Sequence, residues 1–293
     1  MKKMEYVRLF FIGVAMGIAN IIPGVSGGTI AVVFGIYSQL MEALGNFVSD
    51  RKHRKEHIVF LAILFSGSLI AVVALAGLLS WAYENYPLMT VYFFMGLILG
   101  SIPVVFRSHS DMTPTLGRGS AFILGAAAVV MLTLLQSPGM ENSGVVTVFN
   151  NYVVTDYFLF LISGIIAASA MIIPGVSGSF ILILLGAYWT VLGALSNLPQ
   201  LLLKQGLAGD VLVRLYILGS LGIGVVIGIL GFSRVMDKAL KNYPAITLYA
   251  ILGLILGSFY QIFPGFSFNL RGLGAILTFS IGVLISLRFS KEN

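Results

Sequence analysis

Cysteine is absent from the 293-residue chain. That excludes disulfides, thiolate nucleophiles and cysteine-ligated metals. Histidine is scarce: His53, His57 and His109 each fall in a polar stretch, so no intramembrane metal site is expected, and no cofactor. Charged residues make up only 10%, against about a quarter in a soluble domain, and no polar stretch is long enough for a soluble domain. What charge there is leans basic, at net +6. In so apolar a chain that excess reads as loop lysines and arginines facing anionic head groups, not as a nucleic-acid surface.

Hydrophobic residues make up 58%, in runs that exceed the ~20 residues needed to span a bilayer core. Lys2 and Lys3 before an apolar run resemble a signal peptide, but no small-x-small cleavage site follows. The run from Phe10 to Ile22 also has a counterpart before Pro174, so it is read as a structural element. The first run, Tyr6 to Val48, would measure about 64 Å as one helix, twice the ~30 Å hydrocarbon core. Pro23, Gly24, Gly27 and Gly28 break it near the middle, which predicts a hairpin. Spans are predicted over 58–82, 88–106 and 120–136. Asn85 is a candidate helix cap ahead of Pro87. A loop without Lys or Arg runs from Ser137 to Thr155. A second hairpin is predicted over 157–197 and a loop over Leu198–Asp210. Spans follow at 213–232, 246–263 and 272–287, with a basic turn over Arg234–Asn242.

The second half repeats the first. Ile21–Gly27, Ile-Ile-Pro-Gly-Val-Ser-Gly, recurs as Ile172–Gly178; Asn85-Tyr86-Pro87 recurs as Asn242-Tyr243-Pro244; Gly96–Ser101 recurs letter for letter as Gly253–Ser258. Three matches in one order indicate a duplication, with repeats over 1–150 and 151–293. Each half is a hairpin, which returns to its starting side, plus three single spans, so the second half starts on the opposite face and is inverted. The expected fold is an all-α polytopic membrane protein with an inverted-topology repeat, each half a re-entrant (or helical) hairpin plus three transmembrane helices. With the N-terminus inside, only Lys204, Arg214 and Arg271 of the 17 basic residues fall outside. The positive-inside rule therefore puts both termini on the cytoplasmic side of the cell membrane.

Non-helical backbone at membrane depth is tolerated only inside protein or along a wet cavity. Each break starts a new helix, near Thr29 and near Ser179 or Phe180, with unpaired N–H groups and a positive dipole end. Two such starts converging from opposite faces make an anion site without a buried lysine. The phosphate-binding candidates are Pro23, Gly24, Val25, Ser26, Gly27, Gly28 and Thr29, with Pro174, Gly175, Val176, Ser177, Gly178 and Ser179. The blander alternative is that Pro-Gly only turns a tight hairpin; two inverted copies with matching Ser and Gly favour the functional reading.

Gly13/Gly17, Gly96/Gly100, Gly224/Gly228 and Gly253/Gly257 have the small-xxx-small spacing of helix crossings. Tyr37 and Tyr188 correspond; they read as interface-belt residues, with cavity lining as the alternative. Glu42 reads as interfacial and is the best-placed carboxylate for proton coupling. Asn20, whose counterpart is Met171, is a candidate asymmetric polar contact. The Arg51–Lys55 run is a topology signal.

The stretches Asn20–Tyr37 (NIIPGVSGGTIAVVFGIY) and Met171–Tyr188 (MIIPGVSGSFILILLGAY) resemble the bacterial and archaeal polyprenyl-phosphate transporters, over nearly the whole chain. The resemblance implies that an anionic polyprenyl-phosphate lipid, undecaprenyl phosphate, returns from the outer to the inner leaflet for cell-envelope building. Ser179 stands where the first copy has Gly28, so the half-sites are unequal. Moving one negative charge inward costs ~2.3 kcal/mol per 100 mV, so net recycling needs a leaflet gradient or a coupled proton or other ion. The alternative is a small-anion channel or transporter using the same helix starts. An enzyme is not expected, because no histidine or carboxylate cluster lies near either break.

Overall fold

The computed structural model describes residues 3–21, 26–107, 109–135, 154–195, 198–207, 209–265 and 269–291. Pro23, Gly24 and Val25, and most of the loop expected over Ser137–Thr155, lie outside the described residues. Every regular element among the described residues is helical. Six helices among the described residues are long and apolar enough to cross a membrane: Arg54–Val72, Pro87–Arg107, Leu116–Leu134, Thr155–Ile172, Asp210–Asn242 and Leu270–Arg288.

The chain divides into two units, each described by itself. The first comprises Met1–Thr133, Ile172–Val176 and Ser233–Asn293; the second comprises Leu134–Met171 and Ser177–Phe232. The Pro-Gly turn of the second motif copy therefore belongs to the same unit as the first copy.

In the first unit, α1 (Lys3–Ile21) crosses α4 (Arg54–Asn85) through glycines. Gly13 lies on the Leu64 carbonyl and Gly67 on the Phe10 carbonyl, each so close that a methyl group would collide. Between them run α2 (Gly27–Val33) and α3 (Tyr37–Asn46). In the second unit, α8 (Val154–Ile172) crosses α12 (Asp210–Asn242) through the corresponding residues. Gly164 lies on the Leu221 carbonyl and Gly224 on that of Leu161. Lipid offers no hydrophobic drive for helices to associate, so close backbone approach through small residues carries the pairing.

The remaining helices of the first unit pair by exchange. Helix α5 (Pro87–Gly100), continued past Ser101 by α6 (Ile102–Arg107), packs on α14 (Leu270–Lys291); α7 (Leu116–Leu134) packs on α13 (Pro244–Ile262). Gly96 meets the Phe279 carbonyl and Gly282 that of Phe93. Their counterparts Gly253 and Gly125 meet the carbonyls of Phe122 and Ala250. The final helix of each half thus packs on the partner half's helix rather than its own. All four small-xxx-small pairs lie at such crossings.

The returning arm of each predicted hairpin is two short helices, not one. After α2 the chain closes with Gly35 N–H to the Val32 carbonyl (3.0 Å) and Ile36 N–H to that of Ala31 (2.9 Å). This is a Schellman ending, in which Gly35 takes φ +70° at no cost in Cβ clash. In the second unit, α9 (Gly178–Leu184) ends the same way before α10 (Tyr188–Leu195). Gly186 again has φ +70°, with N–H groups 186 and 187 bonded to the carbonyls of Ile183 and Leu182 (both 2.9 Å).

Three local expectations need correction. Arg234–Asn242 is not a turn but the last turns of α12. Its Arg, Met, Lys, Ala and Leu residues are good helix formers; charge ends the apolar stretch, and the helix runs on until Pro244. Residues 198–205, expected as loop, form α11 (Leu198–Gln205). Asn85 does not cap α5, whose N-cap is Tyr86 without a side-chain bond. The Asn85 amide instead donates back to the Trp81 carbonyl (2.8 Å), satisfying the end of α4.

Candidate functional site

The first break restarts the helix at Gly27. Ser26 is its N-cap, extended at φ −112° and ψ 146°, and its Oγ accepts from the Thr29 N–H at 3.2 Å. That is the ordinary serine cap, covering one of the N–H groups a helix start leaves without a partner. The Gly27 N–H donates to Asn20 Oδ1 at 2.8 Å. Asn20 thus reaches back from α1 to cover a second one. Ser26 and Thr29 are buried, with their hydroxyl oxygens 3.2 Å apart.

The turn of the second copy packs against this helix start. The Val176 N–H returns to the Ile173 carbonyl at 3.2 Å. Pro174 and Gly175 are the central residues, and Gly175 has φ +83°, the geometry a type II turn demands of Pro followed by Gly. The Gly175 N–H donates to Thr29 Oγ1 at 2.9 Å. The Ile172 carbonyl, one of those left over at the end of α8, accepts from the Tyr37 hydroxyl at 3.2 Å. Gly28 lies against that same carbonyl: a Cβ there would stand 2.7 Å from the oxygen. A Cβ on Gly175 would stand 2.8 Å from the Leu254 carbonyl. The Pro-Gly turn of the second copy therefore lies on the helix start of the first, with Thr29 as the joint.

The second helix start, in the other unit, is built differently. Ser177 is its N-cap, at φ −95° and ψ 127°, but no side-chain bond caps α9. Its Oγ lies 2.8 Å from that of Ser179, and this hydroxyl pair is exposed. Gly178 lies 3.1 Å from the Ala167 carbonyl and 3.2 Å from Met171 Cβ, measured from the Cβ it lacks. Met171 stands where the first copy has Asn20, so the polar contact of Asn20 has no equivalent.

Tyr37 is buried at 5% exposure with its hydroxyl spent on Ile172, so it is not a belt residue. The hydroxyl that suits a tyrosine to an interface also lets it close a helix end inside protein. Tyr188 is half-buried, its ring edge-on to Trp189 with centroids 5.1 Å apart. Glu42 is half-exposed and paired with Lys241, Oε1 to Nζ 2.8 Å. It also lines a cavity of about 400 Å³ with Arg8, Ile36, Gln39 and His57. Among the described residues no three of His, Asp and Glu come together in the manner of metal ligands. The paired Schellman endings at Gly35 and Gly186 were not anticipated, although Gly-Ile-Tyr and Gly-Ala-Tyr in the middle of apolar runs carry the signal.

A sequence model described as "VCA0040-like: Undecaprenyl phosphate translocase-like" matches residues 16–271. A curated relative from Vibrio cholerae serotype O1 (strain ATCC 39315 / El Tor Inaba N16961), named "Polyprenyl-phosphate transporter", is 36% identical over 274 residues, covering 90% of this chain and 79% of the relative. Another of the same name, from Staphylococcus aureus (strain NCTC 8325 / PS 47), is 31% identical over 297 residues, covering the whole of both chains. No solved structure matches.

Proposed function

The chain belongs to the undecaprenyl phosphate translocase-like family, and from that premise we propose that it carries undecaprenyl phosphate across the cytoplasmic membrane, from outer to inner leaflet, for cell-envelope recycling. Both termini are cytoplasmic, the halves are inverted, and each hairpin brings its break toward the midplane. The phosphate group sits where the breaks meet, and the polyprenyl tail stays in the bilayer. The protein is a carrier rather than an enzyme.

The observation that carries this reading is the bond from the Gly175 N–H to Thr29 Oγ1. Backbone from the second Pro-Gly turn lies on the helix start of the first. The side-chain oxygen of Asn20 on the Gly27 N–H stands in for a phosphate oxygen, which would displace it. Ser177 and Ser179, an open hydroxyl pair, are the second copy's own donors to a phosphate. By sequence, Pro23, Gly24 and Val25 belong to the first copy's phosphate motif, and Pro174, Val176 and Gly178 to the second's. A coupled proton or other ion offsets the membrane potential.

The test is reconstitution into liposomes with labelled undecaprenyl phosphate, comparing the parent protein with Ser177→Ala/Ser179→Ala and with Gly27→Leu. Transport should fall at least tenfold in both variants, equivalent to ~1.4 kcal/mol or more of lost interaction. Unchanged transport in both, with normal elution on size exclusion, would sink the site assignment. Equal transport of free phosphate would favour the small-anion reading instead.

A further inference from the structure

The far end of α3, away from the break, is held by a cluster of polar side chains. Asp237, on the last turns of α12, is buried, with its side chain 9% exposed. Its carboxylate accepts from Asn46 Nδ2 at 2.9 Å and from Lys241 Nζ at 3.1 Å. Lys241 also donates to Glu42 Oε1 at 2.8 Å, and Arg234 Nε donates to the Gly45 carbonyl at 2.6 Å. Three contacts thus tie residues 42–46 of α3 to residues 234–241, and the Lys241–Asp237 bond braces them within α12, all in the first unit.

A buried carboxylate holds its place only while paired. The exposed Lys241–Glu42 pair alone would contribute little. The cluster is therefore firm when complete and weak once one member leaves, which is the behaviour of a latch.

The repeat shows that it is one-sided. Glu42 and Gly45 correspond to Gly193 and Ser196; Arg234, Asp237 and Lys241 correspond to Gly77, Ser80 and Glu84. The other half cannot build the ionic cluster from these residues. Its Gly193 carbonyl instead receives a bond from Arg214 Nη1.

The near end of α3 begins at Tyr37, which holds the Ile172 carbonyl of the second break. It lies just past the Schellman ending at Gly35. From Tyr37 to Asn46 is ~14 Å of helix, too short to bend appreciably.

We propose that α3 is a lever with a cytoplasmic latch: Glu42, Asp237 and Lys241 hold it closed, and their release lets it pivot at Gly35, withdraw Tyr37 from Ile172 and open the break to the cytoplasm. The latched arrangement is then the cytoplasmically closed state, and Glu42, Asp237 and Lys241 are positioning residues. The inference rests on the topology and carrier function proposed above.

The cysteine-free chain supplies the test. Ile36, buried at 7% exposure, is replaced by a single cysteine. Its labelling by a membrane-impermeant maleimide is timed in inside-out and right-side-out vesicles, without added lipid substrate. Asp237→Ala and Lys241→Ala should each raise labelling from the cytoplasmic side about tenfold, and the double variant no further than the larger single, as coupled partners do. Glu42→Gln should raise it less. If Asp237→Ala does not assemble, Asp237→Asn and Lys241→Ala carry the comparison. Rates within twofold of the parent, additive increases, or equal increases from both sides would overturn the latch. Because no lipid need be moved, a shift in labelling beside absent lipid transport would reject the carrier reading and leave the latch standing.

Discussion

The same seven letters build two unlike helix starts. In the first copy Ser26 and Thr29 are buried, and the N–H groups of Gly27 and Thr29 are covered by Asn20 and Ser26. In the second copy Ser177 caps nothing with its side chain and shares an exposed hydroxyl pair with Ser179. Two neighbouring letters make the difference: Asn20 against Met171 and Gly28 against Ser179. Gly28 admits the Ile172 carbonyl at a distance no side chain allows; Ser179 adds a donor instead. The first copy is built to receive backbone, the second to present hydroxyls.

The largest expected effect comes from removing that distinction. Gly28→Ser makes the first copy read as the second does, and puts a Cβ 2.7 Å from the Ile172 carbonyl. Backbone cannot yield as a side chain can, so the cost should be at the upper end of overpacking, ~3 kcal/mol. Ser179→Gly, the reverse exchange, relieves nothing and should cost under ~1 kcal/mol. Thermal unfolding in detergent measures both. Equal losses would show that the copies are interchangeable.

Next is Thr29→Val, which keeps the shape and removes the oxygen. It leaves the Gly175 N–H buried without its acceptor, at a cost of about 1–3 kcal/mol. Ser177→Ala removes an exposed hydroxyl and should change stability by less than ~0.5 kcal/mol, while lowering lipid transport in liposomes. The pair therefore separates a joint from a donor: Thr29 should move the melting temperature and Ser177 the transport rate. Tyr37→Phe should cost about 1 kcal/mol through the lost bond to Ile172. Tyr188→Phe should be close to neutral by the same melt.

Much of this was legible in the chain. Run lengths with polar breaks predict an all-helical membrane protein, and the recurring glycines sit at the helix crossings. Other features leave no local trace. The exchange by which α14 packs on α5 and α7 on α13 is a tertiary choice; Gly96 shows that a helix comes close, not which one. Charge marks where an apolar stretch stops, so Arg234–Asn242 reads as a turn although its residues favour helix. Tyr37 misleads because an interface and a buried helix end both suit a ring with a hydroxyl. The helix ending at Gly35 was not anticipated, because its Schellman bonds depend on φ rather than on letters. Pairing of Thr29 with Gly175, across 146 positions, needed the fold.

The smallest effect, and the most discriminating, belongs to Asn20. Asn20→Met gives the first copy the residue of the second and uncovers the Gly27 N–H. Asn20 is exposed, so the loss in stability should stay near ~0.5 kcal/mol, below that of a buried bond. If the amide oxygen only braces the turn, the variant should be slightly less stable and transport no better. If it occupies the place of a phosphate oxygen, removing it abolishes a competitor for the Gly27 N–H, and half-saturation should come at a lower lipid concentration although the fold is weaker. Stability and apparent affinity then move in opposite directions, which no purely structural role of Asn20 produces. The outcome expected is that opposition, read from one melt and one liposome titration of the same preparation.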